Sequence, residues 1–149
     1  MKLILTKELG RLAKWLRILG LDTVYSKEDN PGSLIIRALR DDRVIITRNH
    51  RLSKPSGIKV VLLKSERLRE QIPEISRALK IRPDKKTMFN RCTICNELLA
   101  EISKPAAKDK VPEYVFQTQE AFLACPQCKR IYWPGTHWGN VARILEEIA

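Results

Sequence analysis

All four cysteines of the chain fall in two Cys-x-x-Cys pairs, and this pattern restricts the fold more than any other feature. Cys92 pairs with Cys95, and Cys125 with Cys128, with 29 residues between the pairs. Two thiolates from one tight turn reach the same ion, and two such turns complete the tetrahedral shell of a structural zinc site. Two redox pairs or disulfides are the alternative, but a thioredoxin-like motif has a single pair where a strand enters a helix. The pattern predicts a closed zinc site, so the function must be sought elsewhere in the chain.

The positive charge is concentrated in the first half of the chain. The net charge is +11, and residues 1–80 carry 18 Lys and Arg against 9 Asp and Glu, whereas residues 81–149 carry 10 against 8. Such a surplus favours a polyanion as the binding partner. Nucleic acid is favoured over anionic lipid, because no basic amphipathic helix also exposes Trp, Phe and Leu. A basic surface that serves solubility or thermal adaptation is the alternative.

The composition favours a protein without a membrane span. Hydrophobic residues make up 44% of the chain, its mean hydropathy is -0.28, and no long apolar run occurs. The first seven residues hold only a short apolar segment between two lysines, too short for a secretory leader. We expect a cytoplasmic protein, where reduced thiols bind metal instead of pairing.

The first 80 residues alternate strand-like and helix-like segments. Strands are predicted over residues 3–5, 23–25, 44–47 and 58–63, and helices over residues 7–19, 33–40 and 66–79, with a short helix before the last strand. Gly20 should end the first helix, and Ser33 and Ser65 should begin the second and third. Single helices between short apolar strands predict right-handed crossovers and a parallel sheet covered on both faces.

Basic side chains are predicted to gather at the carboxyl edge of this sheet, where parallel α/β folds place ligands. Lys7, Arg11 and Lys14 form a stripe on the first helix, which begins at this edge. Arg48 and Arg51 follow the strand over residues 44–47 and should emerge there too. Together they could form a phosphate-binding rim, and a plain solvated face is the alternative.

The polar residues 81–87 mark the expected boundary between an α/β domain, residues 1–82, and a ribbon domain, residues 88–149. In the second domain, residues 98–102 and 114–117 flank a lysine-rich and proline-rich turn region. A few short antiparallel strands are expected here, as in a zinc ribbon.

The residues after Cys128 are expected to complete the ribbon domain. An amphipathic helix is predicted at the C-terminus, and its apolar positions are Val141, Ile144, Leu145 and Ile148. His137 is an alternative fourth zinc ligand, although four thiolates already suffice. Trp133 and Trp138 are expected to supply a core to a module too small to fold on apolar burial, with base stacking as the alternative.

Four stretches in this order resemble the Mut-seven C-terminal ribonuclease-domain family. They are LGRLAKWLRILG at residues 9–20, RVIITR at 43–48, RCTICN at 91–96 and YWPGTHW at 132–138. The resemblance covers essentially the whole chain. It implies a PIN-like three-layer α/β/α domain followed by a zinc ribbon, metal-dependent endoribonuclease activity, and RNA as the substrate.

The acids that such a nuclease requires are replaced in this chain. PIN-type catalysis uses carboxylates at the carboxyl edge of the sheet to hold one or two magnesium or manganese ions. The resemblance implies an aspartate after the first strand, where the chain has Thr6, and two more after a later strand, where it has Asn49 and Arg51. Two neutral groups and one guanidinium change the local charge by about +4 relative to three carboxylates, so magnesium binding of the family's kind is not expected.

The leading hypothesis is therefore an RNA-binding protein with a degenerate nuclease centre. Its predicted RNA contacts are Lys7, Arg11, Lys14, Arg48, His50 and Arg51. One alternative is a divergent magnesium-dependent or manganese-dependent endoribonuclease that uses the relocated acids Glu8, Asp22 and Asp29. A second alternative is a protein-interaction module in RNA processing that docks a partner through the zinc ribbon.

Overall fold

The structure is a computed structural model, and it describes residues 1–28, 30–52, 57–134, 141, 143 and 146. Its first part contains four strands and three α-helices. They are β1 (Lys2–Leu5), α1 (Gly10–Ile18), β2 (Asp22–Tyr25), α2 (Pro31–Asp41), β3 (Val44–Thr47), β4 (Val60–Leu62) and α3 (Leu68–Leu79), with short 3-10 helices at Lys7–Leu9 and His50–Leu52. In these described residues, no helix is long and apolar enough to cross a membrane.

The four strands form one parallel sheet in the order β2-β1-β3-β4. Leu5 lies between Tyr25 and Ile46 in register, so the carboxyl ends of the central strands are level. The chain leaves β1 toward β2 on one side and then returns past it to β3 on the other. The order of the strands therefore reverses between β1 and β3, which is the position where open α/β sheets bind ligands.

Helices cover both faces of the sheet, which confirms the three-layer α/β/α prediction. Leu3 and Leu5 point to the face that α1 and α3 cover, and they pack there with Leu12 and Ile72. On the opposite face, Ile4 packs with Leu34 and Ala38 of α2 and with Ile45. The two faces alternate because successive strand residues point to opposite sides, and both faces are apolar because both are buried.

The end of α1 agrees with the prediction for Gly20. The Gly20 N–H donates to the Arg17 carbonyl at 2.9 Å, and the Leu21 N–H donates to the Leu16 carbonyl at 3.0 Å. This Schellman pattern needs a left-handed residue, and Gly20 has φ +88°. A Cβ at Gly20 would also lie 2.2 Å from the Thr87 carbonyl oxygen. Glycine is thus required both by the turn and by the segment that passes over it.

The starts of α2 and α3 differ from the predictions. Asn30, not Ser33, caps α2: its Oδ1 accepts from the Gly32 N–H at 2.9 Å, and Pro31 takes the first helical position. α3 begins at Leu68, because the Ser65 hydroxyl instead accepts from the Arg67 N–H in a turn ahead of the helix.

The second part of the described chain is a ribbon module, which we define as residues 90–133. Its strands β5 (Ala100–Ile102), β6 (Phe122–Ala124) and β7 (Ile131–Tyr132) pair antiparallel in chain order, as expected for a ribbon. The insert between β5 and β6 differs from the prediction. It forms two short helices, α4 (Lys104–Ala107) and α5 (Glu113–Thr118), so the strand expected over residues 114–117 is wrong. Val115 on α5 is buried against Ala107 and Phe122, which attaches the helix to the core of the module.

The end of the chain returns to the α/β part. Val141 has helical conformation, is 5% exposed, and belongs to the core formed by α1, α3 and one face of the sheet. Glu146 pairs with Lys85 over 3.4 Å. Most of the predicted C-terminal helix lies outside the described residues, as do His137 and Trp138.

Candidate functional site

The reversal of strand order between β1 and β3 opens a crevice that hydroxyl groups line. Thr6 follows β1, and Thr47 ends β3. Their Oγ1 atoms lie 3.0 Å apart, and Thr6 donates to Glu8 Oε1 at 2.6 Å. Thr47 lies 3.4 Å from the same carboxylate oxygen. Two neighbouring strand ends therefore converge on one carboxylate, which the 3-10 turn after β1 supplies.

The Glu8 carboxylate is held by several donors. Besides the two hydroxyls, the Arg48 N–H donates to Oε1 at 3.1 Å. Partial burial alone would raise the pKa of Glu8, but these hydrogen bonds outweigh it and leave the pKa below its ordinary value. Glu8 therefore stays ionised at neutral pH, and its charge is directed toward protein donors.

Asn49 and Arg51, the other two positions where acids are expected, have local structural roles or face solvent. The Asn49 side chain accepts from the Arg51 N–H at 3.0 Å and so caps the 3-10 helix His50–Leu52. The Asn49 N–H donates in turn to Thr47 Oγ1 at 3.0 Å. The Arg51 side chain is exposed. At these three positions the crevice thus has a hydroxyl, an amide and a guanidinium.

A small cleft of about 80 Å³ opens beside Glu8, and Glu28 also lines it. Sequence reasoning did not select Glu28 as a site residue. Its position two residues after Ser26, where β2 has just ended, is the signal that could have found it. Glu8 and Glu28 are thus two carboxylates on one cleft. In the described part of the chain, no group of three or more acidic or histidine side chains is close enough to hold a metal ion.

Asp22 lies at the opposite end of the sheet from this crevice. It begins β2, and its Oδ1 accepts from Arg43 Nη1 and from Asn96 Nδ2, both at 2.8 Å. Burial alone would raise the pKa of Asp22, but these two donors have the larger effect, so the pKa lies below its ordinary value. Asp22, one of the three relocated acids, therefore does not lie at the carboxyl edge, because β2 runs parallel to β1 and Asp22 pairs with Lys2. Asp29 lies outside the described residues.

The predicted basic residues lie on two elements that meet at the crevice. Arg48 and Arg51 follow β3, and the Arg48 side chain reaches Glu66 over 3.3 Å. The remaining side chains of this set are exposed, and they are Lys7, Arg11 and Lys14 on the first helical segment and His50 after β3. The hydrogen bond from the Arg48 N–H to Glu8 joins the two elements. We call these six residues the rim: Lys7, Arg11, Lys14, Arg48, His50 and Arg51.

The four cysteines form the second candidate site. Their Sγ atoms all lie within 4.8 Å of one another, and Cys92 Sγ is 3.7 Å from Cys128 Sγ. None of the four is in a disulfide. Four thiolates so close together would repel one another without a cation, and four sulfur ligands in a tetrahedron suit zinc. The cluster could therefore hold a metal ion such as zinc.

The two cysteine turns have the same hydrogen bonds. In the first, the Cys95 N–H donates to Cys92 Sγ at 3.3 Å and the Asn96 N–H donates to the Cys92 carbonyl at 3.0 Å. In the second, the Cys128 N–H donates to Cys125 Sγ at 3.4 Å and the Lys129 N–H donates to the Cys125 carbonyl at 3.0 Å. Asn96 and Lys129 both have φ 67°. Such N–H groups orient the sulfurs toward a shared ion.

Tyr132 supports the first cysteine turn from β7. Its hydroxyl lies 3.1 Å from Cys92 Sγ, and it accepts from the Thr93 N–H at 3.3 Å. Burial would raise the pKa of Cys92, but the Tyr132 hydroxyl and neighbouring backbone N–H groups lower it to about 7. The thiolate form that a metal requires is therefore easier to reach at Cys92 than at Cys95, whose pKa burial and the neighbouring cysteines raise to about 12.

The first cysteine turn also contacts the α/β part directly. Arg17 of α1 is 8% exposed, and its Nη1 donates to the Thr93 carbonyl at 2.8 Å. Asn96 Oδ1 accepts from the Thr23 N–H of β2 at 2.9 Å. Arg91 Nε donates to the Gly20 carbonyl at 3.3 Å. Polar contacts thus fix the ribbon module on the amino edge of the sheet, away from the crevice.

The fold and the cysteine cluster define a class of protein: a three-layer α/β/α domain with a parallel sheet, joined to a four-cysteine ribbon. The family model of the Mut7-C RNAse domain matches residues 1–145. The chain therefore belongs to the Mut7-C RNAse domain family, which confirms the resemblance drawn from its motifs. Searches of the curated proteins and of the solved structures found no match.

Proposed function

We propose that this protein binds RNA through the rim and the crevice, and that its nuclease centre is degenerate. The single observation that carries the proposal is the chemistry of the crevice. Thr6 and Thr47 present hydroxyls where β1 and β3 end, and they hold the Glu8 carboxylate by hydrogen bonds. A hard cation such as Mg²⁺ needs several oxygen ligands that are free to coordinate it, usually carboxylates.

The charge around the crevice supports direct phosphate binding. Arg51 occupies a position where the family has an acid, and Arg11 and Lys14 are exposed on the adjoining helix. Such cations attract a phosphate backbone directly and need no bridging metal. Of the two carboxylates on this cleft, Glu8 already accepts hydrogen bonds from three protein donors.

The ribbon module is proposed to bind one structural zinc ion through Cys92, Cys95, Cys125 and Cys128, in a cytoplasmic protein. Zinc in a closed four-thiolate shell supplies folding energy and takes no part in cleavage. We expect about one zinc per chain by elemental analysis of protein purified without added metal, and loss of the zinc in the Cys125→Ser variant. A chain that retains no zinc or binds two equivalents would contradict this assignment.

Binding and cleavage assays test the proposed function together. The protein should bind single-stranded RNA more weakly as salt rises, and Arg51→Ala should weaken binding. Zinc-loaded protein freed of contaminating nucleases should not cleave RNA when manganese is added. The triple substitution of Thr6, Asn49 and Arg51 by aspartate is the positive control for manganese-dependent cleavage. Metal-dependent cleavage by the natural chain would refute a degenerate centre.

A divergent metal-dependent endoribonuclease is the second candidate, and one observation favours it. Glu8 and Glu28 line the same cleft, so two carboxylates could share an ion there. In that case, Glu8→Gln should abolish manganese-dependent cleavage. If the centre is degenerate, Glu8→Gln instead removes a negative charge beside the rim and should tighten RNA binding. A protein-interaction module that docks a partner through the ribbon is the third candidate. It would be supported if the protein neither binds nor cleaves RNA.

A further inference from the structure

A basic groove runs along α3, outside the rim and outside the family's catalytic positions. Its wider part has a volume of about 900 Å³ and lies between β4 and α3, and a second part of about 450 Å³ continues past the end of α3. Pro73 and Arg77 line both parts, so the groove is continuous. It begins at Lys64, beyond the carboxyl end of β4, and reaches Arg82.

The cations of this groove have no counter-ions in the described part of the chain. Arg69 and Arg77 lie on α3 at i and i+8, Lys80 directly follows the end of the helix, and all three are exposed. With Lys64 and Arg82 they make five cations on the groove. The described residues provide no ion pair or side-chain hydrogen bond for any of the five. Their charge is therefore available to a ligand.

The two acids of the groove are engaged by the loop between β4 and α3. The Glu74 carboxylate accepts from the Lys64 and Ser65 N–H groups at 2.9 and 3.0 Å. Glu70 accepts from the Ser65 hydroxyl. These bonds hold the loop in place and direct both carboxylates toward protein donors. The groove therefore presents a net positive surface, and Glu70 and Glu74 hold the loop at its start in place.

The groove connects to the rim through one ion pair. Arg48 of the rim contacts Glu66 over 3.3 Å, and Glu66 lies two residues after Lys64 at the start of the groove. A polyanion on the rim could thus continue along α3 by passing the Glu66 carboxylate, whose charge Arg48 partly offsets. Because α3 has 12 residues and rises about 1.5 Å per residue, the groove adds about 18 Å of basic surface, which a few nucleotides of a single strand would span.

We propose that this groove binds the continuation of a single-stranded RNA whose other part lies on the rim, an inference that rests on the proposed function. Arg69, Arg77 and Arg82 contact phosphates or stack on unpaired bases. A peptide that adds a strand to the open edge of β4 is the competing occupant. β4 has only three residues, which offer few main-chain hydrogen bonds, whereas five unpaired cations match a phosphate backbone.

The test compares two double variants that each remove two exposed cations. Arg69→Ala with Arg77→Ala removes groove charges, and Lys108→Ala with Lys110→Ala removes the same charge from the ribbon module. Affinity for oligouridylates of 4 and 12 nucleotides is measured by fluorescence anisotropy across a salt series. The groove variant should weaken binding of the 12-mer only and reduce its salt slope by about 1.4, since each phosphate contact on a single strand contributes about 0.7. The ribbon variant should match the natural chain.

The outcomes separate this inference from the proposed function. If Arg51→Ala weakens RNA binding and the groove variant does not, the groove inference is wrong and RNA binding at the rim stands. If the natural chain binds neither oligonucleotide, both fail. Equal affinity for the 4-mer and the 12-mer would also refute the groove inference. Equal affinity for the single-stranded 12-mer and a duplex of 12 base pairs would refute it too. Matching far-ultraviolet circular dichroism and melting curves show that the variants are folded.

Discussion

Asn96 Nδ2 donates to Asp22 Oδ1 over 2.8 Å, so the first cysteine turn is bonded to the first residue of an edge strand. The same side chain accepts from the Thr23 N–H at 2.9 Å. Asn96 therefore satisfies a backbone group of β2 that no neighbouring strand pairs. Edge strands need such cover, because their open N–H and C=O groups otherwise invite pairing with other chains.

Asn96→Gly should lower the free energy of unfolding by about 1–3 kcal/mol, because it leaves polar groups on Asp22 and Thr23 without their partners. Glycine suits the left-handed backbone at this position, so the loss reports the side chain. Lys129→Gly is the matched control in the second cysteine turn, where the side chain only reaches the exposed Pro126 carbonyl. Denaturant unfolding of zinc-loaded protein compares the two. Equal effects would show that Asn96 adds nothing specific.

The Asp22 contacts also predict an acid-sensitive contribution to stability. The folded-state pKa of Asp22 lies below the ordinary value of 3.8, so its stabilisation is complete above that value and is lost as pH falls through the folded pKa. The difference in unfolding free energy between the natural chain and Asp22→Asn should be constant near pH 7 and shrink below about pH 4. Urea unfolding at a series of pH values measures it. A difference that stays constant down to pH 2 would rule out the ionic contacts with Arg43 as its source.

Thr6→Asp is predicted to create a site that depends on added metal. The new carboxylate would lie beside Glu8, which Thr6 now contacts at 2.6 Å. Two adjacent carboxylates destabilise the folded chain when no cation is present. The melting temperature should fall, and millimolar manganese should restore part of the loss. Thr6→Asn, which has the same shape without the charge, should show no manganese effect; a rise of equal size in Thr6→Asn would mean that manganese acts elsewhere.

Gly20 and Gly57 form a matched pair for testing the contact between α1 and residue 87. Both have positive φ, at +88° and +83°, but a Cβ would meet the Thr87 carbonyl at 2.2 Å only at Gly20 and nothing within 4 Å at Gly57. Gly57→Ala should cost about 1 kcal/mol for the backbone conformation alone. Gly20→Ala should cost clearly more, because the Thr87 segment must also move. Similar losses in thermal unfolding would show that this segment moves aside easily.

The sheet and the cysteine site could be predicted from the sequence because each depends on a local pattern. Buried strands such as Val44–Thr47 are continuous apolar runs, and the Cys-x-x-Cys spacing alone places two sulfurs on one turn. The end of α1 could also be predicted from a local pattern, since its left-handed turn favours glycine and Gly20 is at that position.

The features that sequence reasoning missed depend on contacts distant in the chain. Asp22 and Glu28 are similar acids near the two ends of β2, and only the direction of that strand decides which one lines the cleft. The helix at Glu113–Thr118 has an apolar residue, Val115, whose burial against Phe122 depends on a strand formed later in the chain. Propensity and periodicity within a short window do not contain this information.

The burial of Val141 changes how the ribbon module is connected to the rest of the molecule. Because Phe89 and Val141 both pack on the core of α1 and α3, the ribbon module, residues 90–133, forms an excursion between two attachments to the same core. Removing the metal would therefore loosen an internal loop and would not release a free tail. The entropy of closing such a loop grows only slowly with its length, so the two ends can stay attached. A single protease cut within the excursion would leave two fragments that the shared core still holds together.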